Sequence, residues 1–219
     1  LPDRVDVVLD ALHASGAHQL RPAGDVGLAP IARVHRSDYL NFLQTAWERW
    51  PNDRNVELVL PQFWPVLGSP AGGMPARCPD SVVAQLGWFA GDAIAPLLAG
   101  TWSAAYESAQ VALSAQRAMA DGARSALALC RPPGHHAFAD MAGGFCFLNN
   151  SAIAAQHLRR THARVAILDV DVHHGNGTQN AFFDDPDLFY GSCHQAPFYP
   201  GTGAQHESGV AGNIVNIPL

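Results

Sequence analysis

The sequence predicts an α/β protein in which a mostly parallel central sheet carries helices on both faces. Two observations support this class. Short apolar runs, typical of buried strands, alternate with helical patterns through the second half of the chain. Strand–helix–strand alternation is typical of parallel sheets with helical crossovers. Finally, polar clusters directly follow three of the apolar runs, which is where open parallel sheets place their ligands.

Composition excludes several classes of protein. The 219 residues are 48% hydrophobic and 15% charged, which is enough apolar material for one substantial core and excludes a disordered chain. No apolar run approaches the ~20 residues of a membrane span. The net charge is −6 and lysine is absent, which excludes a phosphate-binding or Schiff-base lysine. Scattered arginines exclude a nucleic-acid face, and the acidic balance favours a cationic small substrate.

The first half of the chain is predicted to be helical around one insertion. Apolar residues three or four apart predict helices over residues 3–15, 29–50 and 81–122. Gly16 ends the first of these, and the last is two helices broken near 96–100. Residues 51–80 contain six prolines, which predicts an irregular insertion within the domain.

The second half alternates strands and helices. Strands are predicted over 125–130, 164–170, 188–193 and 213–217, and helices over 149–160 and 177–183. Asn149 or Asn150 can cap the first of these helices. Because the chain starts inside a helical pattern and ends on a strand, we expect one domain over 1–219, cut from a longer protein at both ends.

Cysteine usage and the first residues predict a reduced, cytoplasmic protein. The spacing of Cys78, Cys130, Cys146 and Cys193 matches no zinc-finger or redox motif, although two disulfides remain the alternative. The first residues are amphipathic, unlike a secretory leader.

The most informative polar cluster follows the strand predicted over 164–170. Asp169, Asp171 and His173 alternate along extended chain and so share one face. Two carboxylates and an imidazole are costly to bury unless a metal pairs with them. Asp171 and His173 are the pair best suited to Zn²⁺, with Asp169 behind them orienting a neighbour. An isolated Asp or His, by contrast, is usually an ordinary turn former or surface residue.

Two further clusters would meet the first at the same sheet edge. His135 and His136 follow a Pro-Pro-Gly turn, and imidazoles suit proton transfer near neutral pH. Ser192 and Cys193 precede His194 after another strand. The chain contains no Gly-x-Ser-x-Gly elbow, and no cysteine has a protease-like partner set, so a metal-activated water is favoured over an acyl-enzyme.

These clusters resemble the histone deacetylase-like amidohydrolases of the arginase/deacetylase superfamily. The matching strings are RPPGHHA (131–137), GGFCFLNN (143–150), ILDVDVHHGNGTQ (167–179), FYPGTGA (198–204) and NIVNIPL (213–219). Residues 28–43 and 100–113 resemble the acetylpolyamine amidohydrolase branch of that superfamily.

The resemblance implies a metal centre. Asp171 and His173 are similar to two of three zinc ligands, and Fe²⁺ could occupy the same ligands. The third ligand, an Asp, and a tyrosine that stabilises the oxyanion would both follow Leu219, so we expect the isolated 219 residues to be inactive. The resemblance also implies a structural K⁺ held by Asp169, Asp171, His173, Ser192 and the Cys193 carbonyl. A second monovalent site would use backbone near Phe182, Asp185 and Leu188.

The resemblance further implies roles for the tandem histidines. Asp169 resembles the carboxylate behind His135, while Asn176 stands behind His136, where some relatives have Asp. A carboxylate favours the imidazolium form and an amide does not. His136 is therefore the expected general base and later general acid, and His135 its electrostatic partner.

Substrate selection is the least determined feature. By resemblance, Gly144, Phe145 and Tyr199 are tunnel walls, with the two aromatic rings facing across an apolar slot, although ordinary core aromatics are the alternative. The insertion 51–80 resembles one that narrows the tunnel mouth and supports a homodimer. An acetylated polyamine is thus the favoured substrate and acetyl-lysine protein the alternative. A catalytically dead scaffold and an arginase-like binuclear manganese site are less well supported, and no nucleic-acid or membrane partner is predicted.

Overall fold

The computed structural model describes residues 4–16, 19–51, 57–65 and 77–219. Its helices are α1 (Arg4–Ser15), α2 (Ser37–Thr45), α3 (Val82–Trp88), α4 (Thr101–Ala120), α5 (Asn150–Leu158) and α6 (Asn176–Phe182), with a 3-10 turn at Ile31–Arg33. Its strands are β1 (Val165–Asp169), β2 (Leu188–His194) and β3 (Ile214–Pro218).

The three strands form a parallel sheet in the order β1-β2-β3. The register pairs Val165 with Leu188 and Tyr190 with Ile214. Helix α6 lies between β1 and β2 in sequence and packs on β2. The predicted α/β class and parallel sheet are confirmed.

Helices cover one face of this sheet. Helix α5 packs on β1 and against α4, and Ala152, Ala155, Phe182 and Leu188 form the buried cluster beneath it. A larger core joins α2, α3 and α4, with Tyr39, Phe42 and Phe89 in ring contact.

The opposite sheet face is open to solvent in the described residues. Side chains alternate across a strand, so Leu168, Phe189, Val215 and Ile217 share this face. Leu168 is 75% exposed. The continuous apolar run of β1 predicted cover on both faces, and in the described part of the chain only one face has it.

Most predicted elements are confirmed. They include the first helix, the broken pair within 81–122, α5, α6 and the three strands. Asn149 caps α5, since its side chain accepts the Ala152 N–H at 3.0 Å. Gly16, with φ of 61°, ends α1.

Two predictions about local structure are wrong. Residues 125–130 form no strand, because an apolar run becomes a strand only when a neighbouring backbone pairs with it. The helix over 29–50 is divided by Arg36, whose backbone is extended (φ −65°, ψ 146°). Its N–H donates to the Ala139 carbonyl at 2.8 Å, a long-range bond that periodicity cannot reveal.

The insertion is described only in part, because residues 52–56 and 66–76 lie outside the described residues. Residues 57–65 are irregular, as predicted, with one antiparallel bridge between Val59 and Leu97. The Trp64 indole N–H donates to the Ala90 carbonyl at 2.6 Å.

The four cysteines all lie in the described residues, and none forms a disulfide. Of the described helices, none is long and apolar enough to cross a membrane.

Candidate active site

The candidate site lies where β1 ends. Asp169 is the last residue of that strand, Asp171 and His173 follow in the loop, and α6 begins at Asn176. Gly175 makes this tight passage possible. A Cβ there would overlap the Asp169 carboxylate and lie 2.7 Å from the Tyr190 hydroxyl.

Asp171 and His173 are placed as a pair that fits a tetrahedral metal. Asp171 Oδ1 lies 3.2 Å from His173 Nδ1. Ligand atoms about 2.0–2.1 Å from a tetrahedral Zn²⁺ lie about 3.3 Å apart, so one ion could contact both atoms. His135 Nε2 lies further away, 3.9 Å from the same oxygen. Within the described residues no group of three His, Cys, Asp or Glu side chains is arranged to hold a metal, so the pair needs a further ligand.

The tandem histidines stand beside this pair with matching geometry and different partners. Their ring centroids are 4.0 Å apart. His135 Nδ1 lies 2.9 Å from Asp169 Oδ2, and His136 Nδ1 lies 2.9 Å from Asn176 Oδ1. Both partner oxygens accept hydrogen bonds, which assigns the proton of each ring to Nδ1. The Nε2 atom of a neutral ring is then free to accept a proton.

Two groups of the cluster, His136 and Asp169, have shifted pKa values. Burial, reinforced by the charges of His135 and His173, lowers the pKa of His136 to about 4. Burial opposes ionisation of Asp169, but hydrogen bonds from His135, the Asp171 N–H and the Tyr190 hydroxyl outweigh it and lower the pKa of that carboxyl. His136 is therefore neutral near physiological pH, while Asp169 is ionised behind His135.

Aromatic rings form the rim of the cluster. The Tyr199 ring is nearly perpendicular to the rings of His136 and His173, with ring centroids 5.0 Å and 5.8 Å apart. Phe198 stacks on His173 with ring centroids 4.9 Å apart, a contact that the sequence reasoning missed although Phe198 adjoins Tyr199. Phe145 is 60% exposed and has a positive φ of 66°.

The wall of the predicted slot is not wholly apolar. The Tyr199 hydroxyl donates to Asp92 Oδ2 at 2.6 Å, and the Gly144 N–H donates to the same oxygen at 2.7 Å. Burial and the Asp92 carboxylate raise the pKa of Tyr199. Sequence reasoning missed Asp92, which lies outside every motif and inside the first helix predicted over 81–122, whereas the structure places it in the loop between α3 and α4.

Residues predicted to hold K⁺ also lie together. Ser192 is paired with Asp169 across the β1–β2 ladder, and Cys193 follows it. Ser192 Oγ lies 2.9 Å from His194 Nδ1 and, as a hydroxyl oxygen, keeps a further lone pair.

The predicted second cation position is different. Here the side-chain nitrogen of Asn213 donates to the carbonyls of Phe182, Asp185 and Leu188 at 2.9, 3.0 and 3.1 Å. An amide nitrogen therefore stands where the resemblance predicted a cation. A side chain 25–31 residues from its partners leaves no local pattern from which to predict this.

Taken together, the structure defines an α/β protein with an Asp–His pair, spaced to fit a metal ion, and tandem histidines at the end of a parallel strand. The family model named "Histone deacetylase domain" matches residues 1–219. The chain therefore belongs to the histone deacetylase domain family.

Relatives agree with this assignment. The chain is 46% identical over 225 residues to Acetylpolyamine amidohydrolase 2 of Pseudomonas aeruginosa, covering 100% of this chain and 64% of that protein. A crystal structure of acetylpolyamine aminohydrolase from Burkholderia pseudomallei superimposes with a TM-score of 0.88 at 43% identity, covering 100% of this chain and 64% of that one. Histone deacetylase 14, chloroplastic, of Arabidopsis thaliana is 53% identical over 97 residues, covering 42% of this chain and 23% of that protein. The chain thus spans just under two thirds of the length of the acetylpolyamine relatives.

Proposed function

We propose that this chain forms most of the catalytic domain of a zinc-dependent amidohydrolase that removes acetyl groups from acetylated polyamines. One observation chiefly supports the chemistry. An Asp–His pair spaced for a tetrahedral metal stands next to two histidines whose Nε2 atoms are free to handle protons. Similarity along the whole chain to enzymes named acetylpolyamine amidohydrolases supports the substrate class.

In this proposal Asp171 Oδ1 and His173 Nδ1 hold the metal, and a chain of the relatives' length contributes the third ligand. When bound, Zn²⁺ supplies the Lewis acidity that activates a water and polarises the amide carbonyl, and Fe²⁺ could use the same ligands. The ring of Phe198 stacked on His173 fixes the plane of that imidazole.

His136 is the proposed general base and general acid. Its Nε2 accepts the proton of the attacking water and returns it to the leaving amine nitrogen. The Asn176 amide oxygen accepts the Nδ1–H, which raises the pKa of His136, but burial outweighs this effect and the ring remains neutral between turnovers. His135, oriented by Asp169 behind it, is the proposed electrostatic partner that stabilises negative charge developing on the carbonyl oxygen.

The cleft walls support a slender substrate. Gly144, Phe145 and Tyr199 would flank the acylated end of the amine, and the acidic chain, with net charge −6, attracts a polycation. Segment 57–65 reaches this region, because Trp64 bonds to Ala90 on the loop that carries Asp92. We propose that the insertion 51–80 narrows the mouth of the cleft and contributes to a homodimer.

The remaining elements of the proposal concern ions and cellular setting. A structural K⁺ would be held by Asp169, Asp171, His173, Ser192 and the Cys193 carbonyl. The free cysteines support a reduced, cytoplasmic protein.

The test compares kcat/KM of the zinc-loaded whole protein for N-acetylputrescine and for an acetyl-lysine peptide. We expect a preference of at least about a hundredfold for the amine, the discrimination a shaped site reaches when the poorer substrate leaves polar groups unpaired. His136→Ala should lower turnover by about 10²–10⁴-fold, as loss of a general base does. Replacement of the exposed His162 by Ala is the matched control and should leave turnover unchanged.

A protein lysine deacetylase is the alternative function. Its support is the 53% identity over 97 residues to the Arabidopsis protein named Histone deacetylase 14, a match that covers 42% of this chain. Preference for the peptide would establish this alternative, and absence of turnover on both substrates would refute an amidohydrolase.

A further inference from the structure

One carboxylate, that of Asp92, joins the two walls of the candidate cleft, which are the Gly144–Phe145 turn and Tyr199. Asp92 Oδ2 accepts the hydroxyl of Tyr199 at 2.6 Å and the N–H of Gly144 at 2.7 Å. The other oxygen, Oδ1, accepts the Ile94 N–H at 2.9 Å, so the carboxylate cannot rotate without losing a bond. The three donors lie 2, 52 and 107 residues away from Asp92 in sequence.

Both joined walls touch the catalytic histidine of the proposed mechanism. The Tyr199 ring lies nearly perpendicular to the His136 ring, with ring centroids 5.0 Å apart. Gly144 lies so close to the same imidazole that a Cβ on this glycine would overlap the ring. A shift in either wall would therefore displace the His136 ring or change the space beside it.

The wall at Gly144 needs an external restraint. Gly144 and Phe145 both have positive φ, 53° and 66°. A bulky residue such as Phe adopts this region only where the surrounding structure holds it. The Gly144 N–H bond to Asp92 is such a restraint, and the bond between the Gly143 N–H and the Cys146 carbonyl closes the same turn.

The loop that carries Asp92 is itself fixed on both sides. The Gly91 N–H donates to the Ala142 carbonyl at 2.7 Å, and the Ala142 N–H donates to the Phe89 carbonyl at 2.8 Å. On its outer side, Trp64 of the insertion bonds to Ala90 at 2.6 Å. The loop of Asp92 is thus held by backbone hydrogen bonds on one side and, through Trp64, by segment 57–65 on the other.

We propose that Asp92 is a positioning residue that sets the separation of the Gly144–Phe145 turn and Tyr199, and so selects short acyl groups. This inference rests on the proposed deacylase function. Loss of the carboxylate releases both walls, which widens the cleft and misplaces the acyl group relative to His136.

The chain contains a matched control for the test. Asp25 Oδ1 also accepts a tyrosine hydroxyl, from Tyr106 at 2.6 Å, and a glycine N–H, from Gly27 at 2.8 Å. This second clamp joins Asp25 to Tyr106 of α4, which packs against the helical core, and neither of the two residues touches the candidate site. Asp25→Ala and Tyr106→Phe therefore remove the same chemistry elsewhere.

The experiment measures kcat and KM of the zinc-loaded whole protein with N-acetylputrescine and N-butyrylputrescine. In Asp92→Ala we expect kcat/KM for the acetyl substrate to fall by about tenfold or more, the usual effect of losing a charged hydrogen-bond partner. The acetyl-to-butyryl ratio should fall by at least about threefold, because pocket fit discriminates methylenes. Asp92→Asn, whose amide oxygen still accepts the Gly144 N–H, should retain part of the ratio, and Tyr199→Phe should lose part of it.

Two results would overturn the proposal. One is a parallel loss on both substrates with an unchanged ratio, which indicates general destabilisation. The other is an increase in KM alone, equal in Asp92→Ala and Asp92→Asn, which indicates that the carboxylate acts on the charge of the amine.

Failure of the proposed function would be distinguishable. If the wild type hydrolyses only lysine peptides, the acetyl-to-butyryl ratio of kcat/KM is measured with acetyl- and butyryl-lysine peptides instead. If it hydrolyses neither substrate, the clamp is tested by the unfolding equilibrium of Asp92→Ala, Tyr199→Phe and the double variant, which together give the coupling between the two side chains. Coupling of about fivefold or more supports the clamp, and additivity overturns it.

Discussion

The partner of His136 offers the sharpest test of the proposed mechanism. Replacing Asn176 by Asp would place a carboxylate 2.9 Å from His136 Nδ1, where an amide oxygen now accepts the bond. Burial holds the pKa of His136 at about 4. An opposite charge this close raises a histidine pKa by about 1–3 units, so we expect a value of about 5–7 in the variant.

The sign of the effect on rate follows from the role of the ring. A general base must be neutral, so raising its pKa moves the acidic limb of kcat/KM to higher pH by the same amount. For a shift of about two units, from about 4 to about 6, the neutral fraction at about pH 5 falls roughly tenfold, whereas at about pH 8 it hardly changes.

The assay is kcat/KM for N-acetylputrescine from about pH 4.5 to about pH 8.5, with zinc saturating at each point. Asn180→Asp adds the same charge at an exposed position of α6 and serves as the control. An acidic limb that stays in place in Asn176→Asp, or that moves equally in Asn180→Asp, would refute His136 as the base.

Three further predictions concern stability and metal binding. His35 is 2% exposed and its Nε2 accepts the Asn149 N–H at 2.9 Å; burial lowers its pKa to about 4. As the pH falls, the imidazole of the unfolded chain is therefore protonated before that of the folded chain, which destabilises the fold. Between about pH 7.5 and 5 the free energy of unfolding, measured with urea, should fall by ~2 kcal/mol in the wild type and not in His35→Gln. Gly203→Ala puts a Cβ 2.6 Å from two buried imidazoles, whereas Gly201 has a similar positive φ and open space around it. Gly203→Ala should therefore destabilise the fold by about 1–3 kcal/mol more than Gly201→Ala, and equal losses of Tm in the two variants would contradict this. Asp171→Asn should weaken zinc binding in equilibrium dialysis by at least about tenfold, and an unchanged affinity would exclude Asp171 as a ligand.

Sequence patterns predict the elements whose stability is local in origin. The strands β1, β2 and β3 are short apolar runs with turn residues at their ends, and α5 begins at an asparagine that caps it. Residues 125–130 have the same apolar character, but a strand also needs a paired neighbour, which no local pattern encodes. Arg36 interrupts a helical pattern for the same reason, because the Ala139 carbonyl that holds it is more than a hundred residues away.

The candidate site divides in the same way. Asp169, Asp171, His173 and Asn176 fall within eight consecutive positions, so their proximity is local in origin. Asp92 has no such context, since its importance arises only when chain segments 52 and 107 residues away fold against it.

The residues proposed for metal binding and proton transfer are thus separate in sequence from those proposed for substrate selection. The groups proposed to bind metal and move protons belong to compact motifs at the ends of strands. The walls that would choose the substrate come instead from separate loops, joined by Asp92 and, through Trp64, by the insertion. A substitution that widens the cleft at Asp92 should accordingly change acyl preference while leaving the pH profile set by His136 in place, and a shift of that profile in Asp92→Ala would show that selection and chemistry are not separable here.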